Sequence, residues 1–127
     1  MELLLVAVGG ALGSVARYGC SGLAARWVGE SFPFGTLAVN VLGSFVIGLV
    51  AAFAIPEGRL FLSANTRLFL MFGLCGGFTT FSSFSLQTLN LVRDGEWLWA
   101  GANITASVVL CLAATWIGLA AGLAVNR

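Results

Sequence analysis

The chain has no histidine and no lysine, and only 9% of its 127 residues are charged. The missing imidazole removes the commonest general base and metal ligand at neutral pH. Soluble domains carry about 25% charged residues, so this chain lacks the polar surface to stay in water. Its net charge of +1 offers no basic patch, and no nucleic-acid partner is expected. The cysteines Cys20, Cys75 and Cys111 are odd in number and too widely spaced for a zinc or redox motif. They read as small apolar packing residues. No Asp, Glu or Lys falls clearly inside an apolar run. A proton-coupled transporter normally needs an intramembrane acid or histidine relay, and a cation channel often shows an acidic ring. No catalytic constellation is present, and no enzyme activity is expected.

What the sequence does have is hydrocarbon. Hydrophobic residues make up 59% of it, and its mean hydropathy is +1.00. A membrane span takes about 20 apolar residues, so the length allows at most four spans and no soluble domain. The fold expected is an all-α integral membrane protein, a single domain over 1–127. The start, "MELLLVAVGG", has an acid where a signal peptide carries positive charge, and it reads as a retained first span. The spans are expected at about Leu3–Val28, Gly35–Ile55, Leu68–Val92 and Trp97–Val125. "GESFP", "PEGR" with "SANTR", and "RDGE" connect them. Trp97 and Trp99 suit a membrane interface. Gly9, Gly10, Gly13 and Ser14 offer a flat face for close helix packing.

Four spans place both termini on one side. Arg59, Arg67 and Arg127 then share that side, Arg26 and Arg93 lie on the other, and Arg17 lies within the first span. Positive charge sets orientation in membranes, and here it is almost balanced. Two readings stay open: one topology fixed by other features, or insertion both ways with pairing as an antiparallel dimer.

Polar side chains within spans are costly and usually have a partner or a task. In the second span Thr36, Asn40 and Ser44 recur every four residues and share one face. In the fourth, Asn103, Ser107, Cys111 and Thr115 do the same. Each stripe alone is explained by interhelical hydrogen bonds. Two together could line a narrow wet path of neutral donors. The third segment contains "GLCGGFTTFSSFS", from Gly73 to Ser85. Each glycine weakens a helix by about 1 kcal/mol relative to alanine, and a break is expected over Gly76–Thr79. Irregular backbone at membrane depth must be buried in protein, line water or hold an ion. Beyond it Phe78, Phe81 and Phe84 recur every three residues among hydroxyls. Aromatic rings have a positive edge, which can face an anion or pack against lipid. The neutral donors favour a small, strongly hydrogen-bonding anion, or no transported ion.

"GGALGSVARYG" (Gly9–Gly19), "GTLAVNVLGSFVIG" (Gly35–Gly48) and "GLCGGFTTFSSFS" resemble the Fluc/CrcB family of fluoride channels. The likeness covers the whole chain in length and span order. It implies an antiparallel, dual-topology homodimer with two pores in the cytoplasmic (inner) membrane, through which fluoride leaves passively and cytoplasmic fluoride toxicity falls. It implies that Asn40 donates hydrogen bonds to fluoride and that the ring edges of Phe81 and Phe84 meet the ion. Ser107 would lie on a polar track, with Thr36 and Ser83 bordering the path. The backbone carbonyls of Gly76 and Thr79, from both subunits, would hold a structural Na⁺. Two departures stand out. The family often has an acid where this chain has Gln87, and a hydroxyl where it has Cys111. A small multidrug-resistance-type transporter would share the size and span number but should carry a glutamate within the first span. Here Glu2 lies at its end and Arg17 within it. A structural membrane subunit without transport is the third reading.

Overall fold

The computed structural model describes Met1–Arg127, and the chain is helical apart from its connecting segments and the two residues Thr79 and Thr80. Four helical segments are long and apolar enough to cross a membrane. The first, α1, runs Glu2–Val28. An acid in its first turn and Arg26 in its last complement the helix dipole. It stops at Gly29, whose φ of 86° is open to glycine and strained for other residues. The second, α2 (Phe34–Ala52), starts just after Pro33. It ends three residues before the expected Ile55. The loop that follows is held by Asn126: its side-chain oxygen accepts from Leu60 N–H at 2.7 Å and its amide donates to the Ala52 carbonyl at 3.1 Å. The last helix, α6 (Trp97–Val125), follows a turn at Gly95, where φ is 77°.

The third span is composite. It begins at Ala64, four residues before the expected start, because Ser63 caps it by accepting from Thr66 N–H at 3.2 Å. A short α3 (Ala64–Arg67) widens into a π-helical stretch, Leu68–Cys75, and tightens again in α4 (Gly76–Phe78). Thr79 and Thr80 are extended, with ψ of 159° and 116°. Helix resumes as α5 (Phe81–Arg93). The interruption therefore lies at the C-terminal edge of the expected stretch. It belongs to two β-branched threonines, whose stiff side chains favour extended backbone. The glycines before it stay helical.

Those glycines bring backbones together. A Cβ on Gly9 would sit 2.8 Å from the Phe69 carbonyl oxygen, and one on Gly73 would sit 2.9 Å from the Gly9 Cα. Gly13 meets Leu74 and Phe78, and Gly77 meets Gly10, in the same way. This is small-residue packing of the kind that holds membrane helices. A second glycine seam, Gly48 against Thr115 and Gly118 against Phe45, joins α2 to α6. The molecule is thus two tight helix pairs, with α5 resting more loosely beside α6. Leu91 is the one buried residue of α5.

Candidate functional site

The interruption after Phe78 creates a backbone problem that α2 solves. In a continuous α-helix Thr80 N–H would bond the Gly76 carbonyl. Instead it donates to Asn40 Oδ1 at 2.7 Å, and Asn40 Nδ2 donates back to the Thr80 carbonyl at 3.0 Å. The asparagine amide pairs with a peptide unit as a second peptide would. Thr80 in turn caps α5, its hydroxyl oxygen accepting from Ser83 N–H at 3.2 Å. In a continuous helix that amide would serve the Thr79 carbonyl. The carbonyls of Gly76 and Thr79 are both deprived of their helical donors.

A cavity of about 480 Å³ opens on one side of this clamp. It brings together Asn40, Phe81, Phe84 and Ser107, with Gly76 and Thr79 in its wall. Ser44 lines it as well, so the lower part of the α2 stripe faces inward as its spacing suggests. Phe81 and Phe84 lie with ring centroids 5.3 Å apart, tilted by 49°. Phe84 is half-buried, whereas Phe81 is 77% exposed on a single chain.

Thr36 and Ser83 are not in that cavity. They line another, of about 380 Å³, with Arg17 and Gln87. No carboxylate lines this chamber, so Arg17 is its one formal charge. Gln87 Oε1 is buried there without a hydrogen-bond partner. Thr80 belongs to both walls. The α2 stripe therefore crosses a septum: Thr36 faces the chamber of Arg17, Ser44 faces the chamber of the phenylalanines, and Asn40 stands between them on Thr80. A wider vestibule of about 570 Å³ shares Tyr18, Ser21, Thr36 and Gln87 with the Arg17 chamber. It opens past Glu30 and Asp94.

The α6 stripe divides. Ser107 and Cys111 line the larger cavity. Asn103, only 2% exposed, donates to Thr88 Oγ1 at 2.9 Å, and Thr88 donates to the Phe84 carbonyl at 2.7 Å. Thr115 turns its hydroxyl to the Cys111 carbonyl at 3.0 Å, so it serves its own helix. Sequence reasoning passed over Thr80 and Thr88. Thr80 is found only through its partner forty residues away. Thr88 lies four residues after Phe84, on its face, which was a usable signal.

The arrangement can take up a small anion through neutral donors. An asparagine amide has two N–H groups. One is committed to Thr80, and the other is left for a ligand. The carbonyls at Gly76 and Thr79 are hard oxygen donors of the kind that suit an alkali or alkaline-earth cation.

Residues 4–119 match the family described as CrcB-like protein, Camphor Resistance (CrcB). The chain is 58% identical over 123 residues to the fluoride-specific ion channel FluC of Opitutus terrae, covering 97% of this chain and 93% of that one. It is 53% identical over 127 residues to that of Rhodospirillum rubrum, covering 100% and 98%. It is 51% identical over 127 residues to that of Methylocella silvestris, covering 100% and 97%.

Proposed function

The chain belongs to the CrcB-like family, and on that premise we propose that it is a fluoride-selective channel. It lets fluoride leave the cell passively across the cytoplasmic membrane and so lowers its toxicity. The observation that carries the reading is the Asn40–Thr80 septum between an arginine-bearing chamber and one lined by Asn40, Ser107, Phe81 and Phe84.

Fluoride is small and strongly hydrated, so losing its water is costly. Arg17 raises the local anion concentration in the first chamber, as a single charge in a low-dielectric cleft does. At the septum the free Asn40 N–H replaces part of the hydration shell. Ser107 offers a hydroxyl beyond it, and Phe81 and Phe84 present positive ring edges. Thr36 and Ser83 border the approach. None of the groups past Arg17 carries a formal charge, which favours release as well as entry.

The working unit is an antiparallel, dual-topology homodimer with two such paths. Its support is the near-balance of arginines between the two membrane faces and the outward ring of Phe81, which a second copy would cover. The Gly76 and Thr79 carbonyls fit a structural Na⁺, since Asn40 and the Thr80 hydroxyl have taken the amides that would otherwise bond them. Each subunit would supply this pair. Bound there, the ion adds a fixed positive charge that biases the field towards anions.

Purified protein in liposomes, read with fluoride and chloride electrodes side by side, tests the proposal. Fast fluoride loss with chloride retained is expected. Equal loss of both ions, or no loss from a folded protein, would overturn it. Thorough exchange of Na⁺ for a larger organic cation is expected to lower both flux and dimer content.

A further inference from the structure

Three sulfur atoms belong to residues of the wall that carries the proposed anion path. Met71 and Cys75 come from the π-helical stretch and Cys111 from α6, and all line the cavity of about 480 Å³ that also holds Asn40 and Ser107. Cys75 is 3% exposed and Cys111 is half-buried. Met71 and Cys75 stand four residues apart along one segment and face the same cavity. Cys111 follows Ser107 by one helical turn on α6. The hydroxyls on the same wall, those of Ser44, Thr79, Thr80 and Ser107, are hard oxygen donors and weak ligands for a soft ion. The polarisable groups on this part of the wall are the sulfurs.

Thiolate and thioether ligands select soft metal ions over hard ones. Alkali cations are drawn to the carbonyls of Gly76 and Thr79, not to this trio. We propose that Met71, Cys75 and Cys111 form a site for a soft monovalent metal ion, silver(I) or copper(I), and that its occupancy closes the anion path. A thiol that binds as thiolate releases its proton to water, so a coordinated cation and its thiolate add no net positive charge to attract fluoride. The metal instead fills space beside Ser107 and Asn40, where the anion must pass. Cys20 is exposed on α1, outside this cavity, and serves as an internal control.

The inference rests on the channel reading, so two readouts are needed. The first is fluoride efflux from proteoliposomes in chloride-free medium with silver nitrate added, each variant scaled to its own silver-free flux. Wild type and Cys20→Ser should lose flux and regain it when excess dithiothreitol is added. The Cys75→Ser/Cys111→Ser variant should keep its flux. Met71→Leu should need roughly ten- to a hundred-fold more silver for half block. The second readout is the silver retained per chain by the purified dimer after gel filtration. It should fall in the double-cysteine variant and persist in Cys20→Ser. Equal retention by the double variant, or block lost in Cys20→Ser alone, overturns the site. Retention as expected without any fluoride flux overturns the channel reading and leaves the metal site standing. Retention as expected with flux unaffected by silver overturns the closure of the path.

Discussion

From Leu68 to Phe78 the third span lies backbone to backbone against α1, whereas from Phe81 to Arg93 it is held mainly by side chains. In the first half Gly73 and Gly77 leave no room for a Cβ. The contacts are numerous and tolerate little change. In the second half the hydroxyls of Ser85 and Thr88 fold back onto the carbonyls one turn earlier, and Thr80 and Asn40 fix the entry. Close backbone packing is concentrated on one side of the interruption, and the hydroxyls and rings of the proposed anion path on the other. The same helix line supplies both because the two threonines uncouple them.

The comparison is broken most severely at Gly77. Gly77→Val drives a branched side chain into the Gly10 backbone, where overpacking costs about 1–3 kcal/mol or more. We expect most of the folded protein to be lost, as measured by recovery of monodisperse protein and by thermal unfolding. Next comes Asn40→Asp. The carboxylate still accepts from Thr80 N–H but cannot donate to the Thr80 carbonyl or to an anion. We expect fluoride efflux to fall by roughly a hundred-fold, about 2.7 kcal/mol, while helical content by circular dichroism is retained. Unchanged efflux would remove Asn40 from the path. Phe81→Ala and Phe84→Ala should each slow efflux more than Phe53→Ala, which lies just past the end of α2. Equal slowing would return the α5 rings to ordinary packing. The smallest change is Thr80→Val, which keeps the backbone pair with Asn40 and loses the cap on Ser83 N–H together with the hydroxyl contacts to Ser82 and Ser83. It should cost about 1 kcal/mol, seen as earlier loss of amide-exchange protection in α5 than in α4.

The spans were legible because hydropathy and length suffice to find them, and the fourth was placed at Trp97–Val125 as observed. Thr36, Asn40 and Ser44 were legible as one face through their spacing. Their division between two chambers was not, since it depends on where Thr80 crosses α2. The glycines were ambiguous in sequence: a glycine in a helix signals either a weak point or a close approach, and only the neighbour decides. Gly73 and Gly77 proved to be close approaches, while Gly76 has nothing nearer than 3.7 Å to the place its Cβ would take. The π-helical stretch has no compositional mark, because "LFLMFGLC" suits any buried apolar helix. Ser63 was read as loop although its hydroxyl starts a helix. The cap is visible only with its partner, Thr66 N–H.

The wide turns of Leu68–Cys75 also act as a phase adjuster. Upstream, Ser63 fixes where the span begins. Downstream, Gly73 and Gly77 must point at α1 while Thr79 and Thr80 reach α2. A residue advances an α-helix by about 100°, so this stretch reconciles the two ends by carrying its surplus as breadth. Its apolar side chains look interchangeable, yet their number is under tighter constraint than their identity. Removing one residue before Gly73 would turn the glycine face away from its seat while leaving the hydropathy of the span almost untouched.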